Sequence, residues 1–141
     1  MACTMVVVVT EMIEVQQAFA SALGPCGLAP IIASTVEDAL EIMSSHTISL
    51  IFCSDELQGA APDILIQHRD LQTGERVPVV VVSRHDNWER HLYFLYVGAF
   101  DYVLYPLSQT EIDRITRNVM DNPTQPIIQR KRRIPHRQLA S

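Results

Sequence analysis

Along this chain, short apolar runs without polar alternation take turns with longer stretches in which apolar residues recur every three or four positions. Val6–Val9, Leu50–Cys53 and Val79–Val82 are rich in β-branched side chains, a pattern that suits strands covered by helices on both faces. Ala29–Ala33 and Phe100–Leu104 read as two further strands. Between them, Val15, Ala18, Phe19, Ala22 and Leu23 mark an amphipathic helix stopped by Gly24-Pro25. Ser34-Thr35-Val36-Glu37 offers a capping box for a second helix that carries Ala39, Leu40, Ile42 and Met43 and ends near His46. A short helix is expected near Pro62–Arg69, followed by a polar turn from Gln72 to Pro78. Asp86 or Asn87 can cap a fourth helix that runs to Val97 and is ended by Gly98. Ser108 or Thr110 can cap a fifth, with Ile112, Ile115, Val119 and Met120, broken at Asn122-Pro123. Five strands alternating with five helices predict right-handed crossovers and an α/β three-layer sandwich. In open parallel sheets chemistry gathers outside the carboxyl ends of the strands. Those ends here read Thr10-Glu11, Ser54-Asp55 and Ser83.

Size and composition fit this picture without a staple. At 141 residues, 48% of them hydrophobic, the chain suits one domain that buries about two-thirds of its unfolded surface. Residues 1–121 are read as that domain and 122–141 as a basic, flexible tail without its own core. Cys3, Cys26 and Cys53 are too widely spaced for a zinc knuckle or a redox pair, and their odd number argues against a disulfide framework. They are expected to be buried or idle thiols. The N-terminal apolar run, Met5–Val9, is too short to span a membrane and lacks the basic flank of a signal peptide, so a soluble, cytoplasmic protein is expected.

The net charge of −5 conceals two unlike regions. Arg130, Lys131, Arg132, Arg133 and Arg137 fall in the last twelve residues, leaving six arginines against sixteen acidic residues upstream. Such a tail can hold nucleic acid or an acidic partner weakly, and more ordinarily is a solvated end. The five glycines, at 24, 27, 59, 74 and 98, form neither a Gly-x-Gly-x-x-Gly nor a P-loop, so no phosphate cradle follows the first strand. A Cys-His catalytic pair would require Cys53 beside a histidine, yet Cys53 lies within an apolar strand. No enzyme is expected.

The order of segments, with Leu57-Gln58-Gly59 after the third strand, Pro78 before the fourth and Gly98-Ala99-Phe100-Asp101-Tyr102-Val103-Leu104-Tyr105-Pro106 around the fifth, resembles the CheY-like receiver domain of bacterial two-component response regulators. The resemblance covers about residues 5 to 120. It implies a flavodoxin-like (βα)5 fold, a parallel sheet of order 2-1-3-4-5 and a cis bond at Tyr105-Pro106. A working receiver phosphorylates an aspartate at the end of the third strand, with magnesium on an acidic pair after the first, a hydroxyl after the fourth and a lysine before the proline. The phosphoryl group brings close to two negative charges, which a hard cation and an ammonium must offset.

Carried across position by position, the site is degenerate. The acidic pair becomes Thr10-Glu11, Ser54 stands at the phosphoacceptor place, Ser83 keeps the hydroxyl, and Tyr105 replaces the lysine. No lysine precedes Lys131. The resemblance therefore implies a pseudo-receiver that lacks the standard site. The alternative is phosphorylation at Asp55 after a one-residue shift, with Glu11 and magnesium. Asp55 would then face away from a group presented by Ser54, because successive strand side chains point to opposite faces, unless the strand has already turned into its loop. Glu11 with Glu56 is the remaining candidate pair for a cation; otherwise no metal and no cofactor are expected.

Seven of the nine aromatic residues lie between Trp88 and Tyr105. Phe94 and Phe100 are expected in the core. Trp88, Tyr93 and Tyr102 are candidates for contact with a protein partner or a second copy, since tyrosine and tryptophan combine contact area with a polar handle. His91 sits among them as a surface residue. The resemblance makes Tyr102 a rotamer switch paired to Ser83, on a partner face formed by the fourth helix, fifth strand and fifth helix. The function implied is a two-component signalling module acting by protein contact.

Overall fold

The valine-rich runs form strands because helices cover both of their faces. The computed structural model describes residues 4–57, 61–70 and 74–121. Five parallel strands, β1 (Thr4–Val9), β2 (Leu28–Ala33), β3 (Ile48–Ser54), β4 (Val79–Ser83) and β5 (Asp101–Leu104), lie in the order β2-β1-β3-β4-β5. Five helices connect and follow them: α1 (Ile13–Leu23), α2 (Val36–Ser45), α3 (Ala61–Gln67), α4 (Trp88–Val97) and α5 (Gln109–Asp121). This is the flavodoxin-like α/β fold expected from the sequence, with the Tyr105-Pro106 bond cis.

Alternation along each strand sorts the core into two layers. Val7, Val9, Ile51, Cys53, Val79 and Val81 pack with Ala39 and Met43 of α2, Leu65 and Ile66 of α3, and Phe94 of α4. Val6, Val8, Leu50, Phe52, Val80 and Val82 pack on the opposite face with Val15, Phe19 and Leu23 of α1 and Ile112, Ile115 and Val119 of α5. Among the described residues β2 is an edge strand, paired with β1 alone. Pro30, which lacks an N–H, is tolerated there.

Register sets the ends of the central strands side by side. Val9 lies opposite Cys53, and Ser54 opposite Val82. Thr10, Ser54 and Ser83 therefore meet along one edge, with the loop after each strand beside them.

The helix starts agree with the sequence to within a residue. Thr35 caps α2 by accepting from the Asp38 N–H at 3.0 Å, one position later than the expected Ser34–Glu37 box. Asn87 caps α4 through the Arg90 N–H. Ser108 and Glu111 form a reciprocal box on α5, with the Glu111 N–H donating to Ser108 Oγ and the Ser108 N–H to Glu111 Oε1. Gly98 ends α4 at φ +116°, a left-handed value natural to glycine.

Three features depart from expectation. A 3-10 turn, Gly24–Cys26, extends the end of α1. Within the stretch read as a polar turn, Arg76 forms an antiparallel bridge with Arg69. Cys26 is not idle: its thiol donates to Asp113 Oδ1 at 2.8 Å and ties that turn to α5. Cys53 is fully buried, and burial pushes its thiol pKa well up. Cys3, Gln58, Gly59 and the 122–141 tail with Arg130–Arg137 lie outside the described residues. Among the described residues no helix is long and apolar enough to cross a membrane.

Phe52 is 1% exposed and its ring centroid lies 4.7 Å from that of Phe19, across the junction of β3 with α1. Phe52→Ala should destabilise the domain by about 3–5 kcal/mol. The expected observation is a lower urea midpoint at unchanged slope.

Candidate functional site

The carboxyl edge of the sheet is built from three hydroxyls, and each is committed to its own loop. Thr10 is buried; its Oγ1 accepts from the Met12 N–H at 3.2 Å and its carbonyl accepts from Gln16 Nε2 at 2.8 Å. Ser54 Oγ accepts from the Glu56 N–H at 3.2 Å. Ser83, 1% exposed, accepts from the His85 N–H at 3.0 Å and donates to the His85 carbonyl at 3.1 Å. In each case the hydroxyl oxygen accepts from the N–H two residues ahead. Short hydroxyl side chains close turns in this way and hold the chain as it leaves a strand.

The charges nearby are paired internally. Glu56 takes two bonds from Arg84, Nε at 2.8 Å and Nη2 at 2.9 Å, with His85 Nε2 at 3.9 Å. The Arg84 hydrogen bonds hold the Glu56 carboxyl below the usual glutamate range. This pairing occupies the residue that was to share a cation with Glu11, which is itself exposed.

Asp55 lies in the turn that follows β3, where strand alternation no longer sets its direction. Its side chain is only 2% exposed and reaches α4, where Arg90 Nε donates to Oδ2 at 3.2 Å. Arg90 Nη2 also donates to the Asp55 carbonyl at 3.3 Å, while the Asp55 N–H bonds the Val82 carbonyl at 3.0 Å. Oδ1 is buried and finds no hydrogen-bond partner among the described residues. Tyr105 is half-buried beside the α1 and α5 layer, and its N–H donates to the Ser83 carbonyl at 2.8 Å.

Tyr102 corrects one expectation. Grouped with the surface aromatics by sequence, it is 5% exposed and donates to the His85 carbonyl at 3.3 Å, the same oxygen that Ser83 uses. Its ring stacks on His91 at 5.0 Å and on Phe94 at 6.0 Å. His91 is only half-exposed, with Trp88 5.2 Å beyond it. Trp88, at 58% exposure, and Tyr93, at 47%, do reach the surface, and the Tyr93 hydroxyl bonds Asp63 of α3. Trp88, Leu92 and Tyr96 recur every four residues and form an exposed stripe on α4.

Arg84 and Arg90 are the participants that sequence reasoning missed. A signal existed: with no lysine before Lys131, arginine must supply every full cation near the strand ends. Among the described residues, no group of three or more His, Cys, Asp or Glu side chains is arranged for a metal ion.

No protein-family model and no curated protein matches the sequence. Solved structures do match the fold. A response regulator from Thermotoga maritima superposes with a TM-score of 0.76 at 20% identity, covering 86% of this chain and 100% of its own. The receiver domain of NtrX from Brucella abortus gives 0.72 at 23% identity, covering 83% and 98% respectively. The chemotaxis response regulator CheY4 of Vibrio cholerae gives 0.72 at 15%, covering 84% and 99%. At these identities the likeness establishes the fold.

Two predictions follow from the pairing. Arg90→Met should cost about 1–3 kcal/mol by leaving the buried Asp55 carboxylate unpaired, and adding Asp55→Asn should recover part of that loss in urea unfolding. Arg84→Gln should raise the Glu56 pKa toward the ordinary glutamate range in an NMR titration. Because the folded-state value is depressed, the stability from this pair is present above the unfolded pKa and is lost as pH falls through the folded one. The variant should lose that component of acid sensitivity.

Proposed function

We propose that the chain is a receiver-like module of two-component signalling that does not run an aspartyl phosphorylation cycle and acts through protein contacts. In this reading it is a cytoplasmic, non-enzymatic module without a bound cofactor. The observation that carries it is the closure of the strand-end hydroxyls on their own loops, with both nearby acidic groups, Asp55 and Glu56, already paired to arginine.

The chemistry argues in the same direction. A phosphoryl group on a carboxylate adds close to two charges at neutral pH and needs cations to offset them. Tyr105 occupies the place where the family has its lysine. The residues present also fit a receiver's magnesium poorly: Glu11 is exposed, Glu56 is held by Arg84, and Asp55 is turned to Arg90. No step is therefore assigned to magnesium.

The inward Tyr102 supports a module held in one setting. In receivers the strand aromatic and the hydroxyl residue switch together, whereas here Tyr102 and Ser83 share the His85 carbonyl. The stripe Trp88, Leu92 and Tyr96, with exposed Leu104 on the edge strand β5, offers apolar contact area on the face of α4, β5 and α5. A protein partner or a second copy is the occupant proposed for it.

The second reading, phosphorylation at Asp55 with Glu11 and magnesium, is favoured by the unpartnered Asp55 Oδ1. One experiment separates the two. Beryllofluoride with magnesium should leave the fluorescence of Trp88, the sole tryptophan, without a saturable change, and a small phosphodonor should add no phosphoryl mass. A saturable response abolished by Asp55→Asn would establish the second reading.

A further inference from the structure

The groove between α3 and α4 contains a buried acceptor that the fold leaves unmet. Its volume is about 420 Å³, and its walls include Asp55, Asp63, Glu89, Arg90, Tyr93 and Phe94. Three carboxylates line it with one guanidinium, and Asp63 already accepts from the Tyr93 hydroxyl. Arg90 satisfies Asp55 Oδ2 and lies over the Phe94 ring, 5.6 Å from its centroid. Asp55 Oδ1 remains buried without a partner among the described residues. Water does not reach it, so the acceptor gains strongly from any donor that does.

We propose that this groove receives a cationic side chain, a guanidinium by preference, presented by a protein partner. The chemistry of the walls selects that ligand. Asp63 and Glu89 supply charge at the mouth, and Asp55 supplies an acceptor at the floor. The exposed ring of Tyr93 adds a face on which a planar cation stacks, as Arg90 already does on the buried Phe94. A guanidinium has five donors in a planar fork and can bridge two carboxylates at once. Arg90, whose side chain is 44% exposed, can shift toward solvent as the incoming group reaches Oδ1.

A divalent ion fits less well, since the described acidic residues form no three-ligand group. The inference extends the protein-contact reading to a second face and rests on it only for the source of the cation. It adds charge recognition on α3 and α4 to the apolar stripe on α4.

The test is a titration of the full chain with ethylguanidinium at constant ionic strength, followed by amide and side-chain NMR shifts. Saturable shifts confined to Asp55, Asp63, Glu89, Tyr93 and their neighbours are expected. The Asp63→Asn, Glu89→Gln pair should weaken binding about tenfold, the loss of one good charged contact. Parallel titrations with sodium and magnesium complete the comparison. Shifts that grow linearly with concentration, that are matched by sodium, or that survive the double substitution overturn the proposal. Saturation by magnesium instead of guanidinium also overturns it, in favour of a metal site. The beryllofluoride experiment reads the strand-end edge, so failure of either reading is distinguishable from failure of the other.

Discussion

Burial of β1, β3 and β4 on both faces is the constraint on which the rest of this molecule depends. Val6–Val9, Leu50–Cys53 and Val79–Val82 are all at most 5% exposed. A strand enclosed in this way cannot carry polar side chains along its length without unpaired groups in the core. Polar chemistry is displaced to its end, where the chain turns toward solvent. The parallel register then gathers the ends of three strands into one row. Fold and candidate site are thus consequences of the same apolar pattern.

What occupies that row determines how it behaves. A carboxylate at a strand end brings a charge that needs a cation, an ammonium or several N–H donors. Serine and threonine bring no charge, and their hydroxyls reach the N–H two residues ahead. Thr10, Ser54 and Ser83 all do so, and the edge becomes self-satisfied. The carboxylates that remain, Asp55 and Glu56, take their cations from the segment around α4 instead of from a bound ion. Loop closure and internal pairing together tie the strand ends to neighbouring parts of the fold.

The fold was legible in the sequence because its signals are local. Valine runs, caps at Thr35, Asn87 and Ser108, and the stop at Gly98 each act within a few residues. The one-residue error at α2 arose because Ser34 and Thr35 are both competent caps and only the chain's entry angle chooses between them. The 3-10 turn after Leu23 left no signal beyond Gly24-Pro25. Long-range pairs were less legible. Arg90 meets Asp55 across 35 residues and Arg84 meets Glu56 across 28, and no periodicity links positions so far apart. Tyr102 was misjudged for a related reason. Aromatic clustering in sequence does not distinguish a ring stacked inward on Phe94 from one that, like Tyr96 at 86%, lies outside.

These pairs make α4 the element that joins the strand ends to the surface. Its Phe94 packs in the core layer with Val81 and Tyr102, and its Arg90 holds Asp55 at the end of β3. Asn87 and His91 fix its first turns, through the Arg90 N–H and the Tyr102 ring. Trp88, Leu92 and Tyr96 stand on its outer side. A contact on that stripe therefore bears on a helix whose opposite side grips the row of strand ends. In a protein interior packed at crystal-like density, such a helix moves as a unit or not at all. The α4 side chains open to solvent are Trp88, Glu89, Arg90, Leu92, Tyr93 and Tyr96. Under the proposed protein-contact reading, a partner seated on the α4 surface would work against the Asp55–Arg90 pair, the reverse of a path that begins with chemistry at the strand ends.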